Sequence, residues 1–564
     1  MRDEAAMSTA QPTDAPKRRT PTRRWLLAQA AFLVLALAVF ALATWQVRAS
    51  EGRVTREEII IGGAGTQISA LRFTPRDERR NIVAVVAHGY SGSKEVMTTF
   101  CVELAKEGVT AYCFDFPGHG SSPEVFDPDA ALSGAQTQLT DTVGAVVDYA
   151  LQHAPQRDTK LVLIGHSMGT SAVGHYALQH PELANLAATV LVSPVLSASV
   201  TTTNPRNLLV LAGDADPANI IGIAKKRVAE GCAQPFGDAL GYKLICGDPR
   251  QGTGRMLLIL PGLNHITILT ASATHQHILA WLNAGLDEGV SANDVTADQR
   301  FIWLLLGQGA AFLALLPAVA LASAGLRQLP ARQSSPAPRG VYLKSLTALG
   351  VMGAALVVGM LALHFFVDSP FGFLRQALSP DLATYLCGAG IVALGMALCV
   401  PVYRRGADWP RGFTIATQGL LAAGALVFLY FTLGALSTFA WANLALTPAR
   451  LGRALVLALL FIPYFLGSEL LLRPVARSRP WLAALTKLVV ALLTTLALFA
   501  AIRVDADRLS FLLFLLPIQA IYLLLFVALE AWARREVERP LVFIALSEAL
   551  ILGWAVAATF PLLG

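Results

Sequence analysis

A chain of 564 residues is long enough for two or more domains, and 54% hydrophobic against 15% charged residues is not the balance of an ordinary soluble protein. Much of it is expected to sit in lipid. The formal net charge of +6 falls in short basic clusters beside apolar runs, where it sets membrane orientation, so no nucleic-acid partner is expected. Six cysteines, none in a CxxC or Cys/His spacing, are too few for a disulfide-dense scaffold and imply neither a metal nor another cofactor.

Residues 1–24 are polar, rich in Pro, Thr and Arg and without apolar periodicity, which predicts a disordered cytoplasmic tail. Residues 25–48 form a transmembrane anchor. Their apolar run, 26–47, spans a hydrocarbon core of roughly 30 Å at about 1.5 Å per residue. Lys17, Arg18, Arg19, Arg23 and Arg24 precede it and hold the amino terminus inside. The competing reading is a cleaved signal peptide, with Ala41 and Ala43 as an AxA site. Both readings export the next stretch of chain.

Residues 49–295 have a soluble composition. Short β-branched runs (EEIII, ISALRF, IVAVVA, TAYCFDF, KLVLIG, AATVLVS, NLLVLAG and MLLILPG) alternate there with helix-like stretches, which predicts a mostly parallel sheet covered by helices on both faces. GGAGTQ between the first two reads as a tight antiparallel turn. Cys101, Cys113, Cys232 and Cys246 lie in this half and can pair if it is extracytoplasmic; the alternative is four buried thiols.

Residues 300–564 read as a transmembrane domain of about eight helices, at 301–324, 342–367, 382–403, 413–437, 452–472, 481–502, 509–530 and 541–562. Alternate connections hold thirteen basic residues (Arg327, Arg332, Arg339, Lys344, Arg404, Arg405, Arg411, Arg473, Arg477, Arg479, Arg534, Arg535 and Arg539) against five (Arg375, Arg450, Arg453, Arg503 and Arg508). The richer set belongs in the cytoplasm, which puts 49–295 on the outer side, as the anchor also requires. The alanine- and arginine-rich composition suits a bacterial inner membrane with the soluble domain facing the periplasm.

The run LVLIGHSMGTSAVGHYAL holds a GxSxG at 165–169, between a buried strand and a helix. A serine on so sharp a turn needs small neighbours, because side chains at Gly165 and Gly169 would strike adjacent backbone. Ser167 is therefore the candidate nucleophile. Its hydroxyl is weak at neutral pH and needs a histidine base with an acid to fix the imidazole tautomer.

Together with HGYSGS at 88–93, DFPGHGSS at 115–122 and a late GLNH ending at His265, this motif resembles the α/β-hydrolase superfamily, in particular its esterase, lipase and serine aminopeptidase-like members. The resemblance covers about 55–290 and implies the α/β-hydrolase fold, here joined to an all-α transmembrane bundle. It also implies His265 as base and Asp216, in LVLAGDADP, as acid, with Asp214 the competing candidate. The oxyanion would be met by the backbone amides of Tyr90 and Met168. His88, His119 and Asp115 match positions that such proteins use to hold loops. Many relatives place a cap domain before the acid, whereas only SPVLSASVTTTNPR stands there in this chain. The segment 217–254, or the outer loops of the bundle, is expected to roof the pocket.

Glu469, Lys487 and Glu548 lie within apolar spans near their cytoplasmic ends and are expected to form one charged cluster; a structural ion pair or snorkelling is the alternative. His364 is expected near the outer end of its span. The favoured function is a membrane-bound serine hydrolase cleaving an ester of a lipid or lipid-linked substrate on the extracytoplasmic side. The alternatives are a transporter or flippase whose hydrolase domain trims its cargo, a peptidase or amidase, and a binding module without catalysis. Nothing in the sequence sets an oligomeric state.

Overall fold

The computed structural model describes residues 20–63, 66–128, 137–235, 241–286, 289–326, 369–399, 412–476, 516–537 and 540–564, with shorter stretches between 340 and 358 and between 481 and 489. Helix α1 (Arg23–Ala49) comes first. The strands β1 (Val54–Gly63) and β2 (Thr66–Pro75) then pair antiparallel, Val54 opposite Pro75, as the turn signal predicted. Next in the chain are β3 (Ile82–Ala87), α2 (Thr98–Lys106), β4 (Thr110–Phe114), α3 (Thr137–Gln152), β5 (Lys160–His166), α4 (Met168–Gln179), β6 (Leu186–Val192), β7 (Leu208–Gly213), α5 (Ala218–Gly231), β8 (Lys243–Cys246), β9 (Arg255–Leu260) and α6 (Ser272–Leu286).

The strands form one nine-stranded sheet in the order β1-β2-β4-β3-β5-β6-β7-β9-β8. From β4 to β9 neighbouring strands are parallel. β3, β6 and β7 are buried along their whole length, which is why they read as continuous apolar runs rather than alternating ones. Val143 and Val147 of α3, Ala172 of α4 and Val228 of α5 cover one face, and Phe100 of α2 with Ile278 and Trp281 of α6 cover the other. The two-faced sheet is the one expected from the sequence.

The segment 217–254 requires a correction. Its described residues build the sheet's far edge rather than a roof. Ala224 and Val228 of α5 pack into the core, and β8 pairs antiparallel with β9, Cys246 opposite Arg255. β8 escaped the sequence reading because KLIC is four residues long and only partly buried. Cys232 at the end of α5 is bonded to Cys246 of β8, and Cys101 of α2 to Cys113 of β4.

Beyond the sheet lie α7 (Ala297–Gly325), α8 (Ser379–Cys399), α9 (Thr414–Ala440), α10 (Pro448–Ala476), α11 (Leu516–Glu536) and α12 (Leu541–Thr559). Among the described residues six helices, namely α1, α7, α8, α9, α10 and α12, are long and apolar enough to cross a membrane, which is compatible with an integral membrane protein. Their outward faces are apolar: Leu27, Val34, Leu420, Phe431 and Leu459 are all exposed. Small residues bring the inner faces together. A Cβ on Gly553 of α12 would lie 2.8 Å from Ala454 O of α10, and one on Gly390 of α8 would lie 2.2 Å from Tyr464 N. The tail at 1–19, most of the expected spans 342–367 and 481–502, the start of 509–530 and His364 lie outside the described residues.

Cys232 and Cys246 close a loop of 14 residues at the sheet edge. Replacing both by serine is expected to lower the unfolding free energy by about 2–4 kcal/mol. Denaturant titration of the detergent-solubilised chain, followed by tryptophan fluorescence, measures it.

Candidate active site

β5 ends at His166 and α4 starts at Met168, which leaves Ser167 alone at the turn with φ 51° and ψ −120°. That left-handed backbone is strained for a residue with a Cβ and is held by close packing on both sides. A Cβ on Gly165 would sit 2.4 Å from Gly169 O, and one on Gly169 would sit 2.5 Å from Ala87 O. The HG loop presses on the serine itself, since a Cβ on Gly89 would stand 2.9 Å from Ser167 Cβ. Tyr90 is the next residue of that loop. Met168 is the first residue of α4, so its amide belongs to the turn that has no partner within the helix.

Asp216 and His265 arrive from the loops after β7 and β9. His265 Nδ1 donates to Asp216 Oδ1 at 2.9 Å, both residues being buried. The other carboxylate oxygen, Oδ2, accepts from Ser193 Oγ at 2.7 Å and from the Gly213 amide at 2.8 Å. Three donors satisfy both oxygens of this buried carboxylate, and the contact with His265 fixes the imidazole tautomer. Asp214 lies instead at the surface, accepting from the Gly262 amide at 2.8 Å. An Asx turn sets the last loop: Asn264 Oδ1 accepts from the amides of Ile266 and Thr267, both at 3.0 Å.

His166, beside Ser167, ties the two loops together. Its Nε2 donates to His265 O at 3.0 Å, and the two imidazole rings lie 4.8 Å apart. Burial, reinforced by the neighbouring His265, holds His166 well below the ordinary histidine pKa, so it stays neutral.

His88 and His119 hold loops. His88 Nε2 accepts from the Phe116 amide at 3.1 Å while its Nδ1 donates to Gly89 O at 2.7 Å. His119 Nδ1 donates to Pro117 O at 2.8 Å, and its ring meets the edge of Tyr90 at 5.7 Å. Burial lowers the pKa of both. Asp115 anchors the same region, accepting from the Lys94 amide at 2.7 Å, from Lys94 Nζ at 2.8 Å and from the Ser121 amide at 2.9 Å. Burial opposes the charge on Lys94, but Asp115 and Glu95 more than offset it and raise its pKa.

Sequence reasoning missed Ser193, Lys94, Asn443 and Arg450. Each is a single polar residue outside the motifs quoted above, meeting its partners only across the fold. Glu469, Lys487 and Glu548 do meet: Lys487 Nζ lies 2.5 Å from Glu469 and 3.2 Å from Glu548. Glu530 and Arg534 of α11, also unforeseen, join them, Lys487 being 2.7 Å from Glu530 and Arg534 2.6 Å from Glu469. A cavity of about 440 Å³ between α1, α7 and the loop at 294–296 contains none of the Ser167, Asp216 and His265 group.

The sheet order, the strained serine between β5 and α4, and the aspartate and histidine on the loops after β7 and β9 define the α/β-hydrolase fold. Residues 77–217, a quarter of the chain, match the family described as serine aminopeptidase, S33. No curated protein matches the chain. Among solved structures, a predicted CIB-like hydrolase from Thermoplasma acidophilum is 18% identical, with 38% of this chain and 91% of that one covered and a TM-score of 0.30. An esterase from Pyrococcus furiosus is 15% identical, over 41% of this chain and 92% of that one, with a TM-score of 0.29. A serine hydrolase without a lid from Xanthomonas campestris is 18% identical, over 42% and 95%, also at 0.29.

This packing has two measurable outcomes. Gly169→Ala is expected to cost about 1–3 kcal/mol through backbone overlap with Ala87 and to displace Ser167, which chemical denaturation and the rate of a Ser167-directed probe would register. Four fully buried histidines, His88, His119, His166 and His275, have pKa values lowered from the ordinary 6.5 by burial. The unfolded chain therefore binds protons below about pH 6.5 that the folded chain refuses, so stability is full above that pH and is lost as pH falls through the folded values. Within the sheet domain the raised carboxyl of Glu95 acts in the opposite sense to these four histidines. Melting temperature measured against pH is expected to fall below about pH 6.5.

Proposed function

We propose that this chain is a membrane-bound serine hydrolase that cleaves an ester of a lipid or lipid-linked molecule on the extracytoplasmic side. Residues 25–48 and 300–564 anchor it, and 49–295 carry the chemistry. The observation that bears most weight is the buried 2.9 Å contact between His265 and Asp216 beside the strained Ser167 turn. Ser167 Oγ attacks the carbonyl carbon and passes its proton to His265 Nε2, while Asp216 stabilises the imidazolium through Nδ1. The Tyr90 and Met168 amides receive the negative oxygen. Collapse of the tetrahedral species breaks the ester bond, the alcohol leaves with the proton from His265, and water then repeats the cycle to free the acid.

Two disulfides in one domain suit an oxidising compartment and so support the outer placement. The apolar outward faces of the helices keep the site near lipid, which supports a lipid-linked substrate. A second reading, hydrolysis of an amide or peptide, is favoured by the match to a family of serine aminopeptidases and uses the same residues.

A fluorophosphonate probe is expected to label the wild-type chain and not Ser167→Ala; labelling that persists in the variant defeats the proposal. Asp216→Asn is expected to lower kcat on a short-chain ester by about 10⁴-fold with little change in KM, because the imidazole then holds the wrong tautomer. Assays of esters, phospholipids and aminoacyl amides side by side decide between the two readings.

A further inference from the structure

Arg450, in the first turn of α10, is among the largest wholly buried side chains, and its guanidinium donates to backbone carbonyls of two other parts of the molecule. Its Nη1 donates to Ala557 O at 2.7 Å, Phe560 O at 2.9 Å and Ala558 O at 3.1 Å, at the end of α12. Its Nη2 donates to Gly118 O at 2.8 Å and its Nε to Gly120 O at 3.1 Å, in the DFPGHGSS loop. One guanidinium thus satisfies carbonyls that α12 cannot pair internally and grips a loop of the hydrolase domain.

A second contact reaches the same region from the connection between α9 and α10. Asn443 Nδ2 donates to Ser121 Oγ at 2.7 Å and to Glu95 Oε1 at 3.3 Å, and its amide donates to Ser93 Oγ at 3.2 Å. Ser93 and Glu95 continue the HG loop, and Gly118, Gly120 and Ser121 belong to the loop whose His119 ring touches Tyr90. Two residues of the helical bundle therefore hold both the loop that carries Tyr90 and the loop whose His119 ring packs on the Tyr90 side chain.

We propose that Asn443 and Arg450 are positioning residues for acyl transfer: by clamping these two loops they keep the Tyr90 amide set to receive the oxyanion, and the bundle is part of the active-site assembly. The proposal rests on the serine-hydrolase reading above. An oxyanion donor acts only within a narrow distance, and a misplacement of about 1 Å costs on the order of 10²-fold in rate.

The test uses the full chain in detergent micelles, a short-chain soluble ester, and titration of Ser167 with a fluorophosphonate so that rates are counted per competent site. Asn443→Ala and Arg450→Lys are expected to lower kcat per titrated site about 10-fold to 100-fold, with KM changed less than about two-fold. For Arg450→Ala, millimolar guanidinium is expected to restore part of kcat where sodium at equal ionic strength does not. Arg453→Ala is the control: Arg453 lies on the same helix but donates to Leu374 O at 2.6 Å, away from these loops, and its kcat should match wild type. A purely structural role reduces the number of titratable sites and leaves kcat per site unchanged; that result overturns the proposal. If the wild-type chain neither takes the probe at Ser167 nor cleaves the ester, the hydrolase reading itself falls and the proposal falls with it.

Discussion

The candidate site depends on keeping both oxygens of one carboxylate hydrogen-bonded out of contact with water. A buried ionised carboxyl is costly unless its oxygens are hydrogen-bonded, and Asp216 meets that condition with His265 on one oxygen and Ser193 and Gly213 on the other. Each donor comes from a different loop or strand end, so three loops must close correctly before both oxygens are satisfied. The sheet makes this possible. β5, β6, β7 and β9 are parallel neighbours, and the loops leaving their ends converge on one edge.

How much of this was legible in the sequence divides by range. The parallel sheet showed because its central strands are buried on both faces and leave runs such as IVAVVA and LAATVLV. The Ser167 turn showed because its geometry admits only glycine on either side, whereas GLNH was placed through the family resemblance, and the Asx turn made by Asn264 emerged only in the fold. Asp216 and Asp214 could be ranked only through a family spacing; in the fold one faces His265 and the other faces solvent. Ser193, Asn443 and Arg450 left no trace, since a single polar residue becomes informative only when distant chain segments meet around it. The supposed roof was misread for a related reason. A segment between acid and base can leave the sheet or join it, and β8 joins through backbone pairing that composition does not encode.

The helical half obeys different packing rules from the sheet. Its contacts rely on glycine and alanine allowing backbones to approach, as at Gly553 and Gly390, and on a few polar groups buried together. Glu469, Glu530, Glu548, Lys487 and Arg534 gather from α10, α11, α12 and the stretch at 481–489, so each buried charged side chain has an oppositely charged partner within ion-pair distance. At the opposite end of α10, Arg450 joins this half to the sheet domain by carbonyls alone.

The residues after α12 also enter the sheet domain's loops. Leu562 donates its amide to Gly118 O at 2.8 Å and accepts from the Phe126 amide at 2.8 Å. A ribosome builds the chain from its amino end, so the DFPGHGSS loop emerges hundreds of residues before the strand-like piece that braces it. Nascent protein therefore passes through a long interval in which every strand of the sheet has been made but this loop lacks the brace from Leu562, and synthesis of the residues after α12 ends that interval.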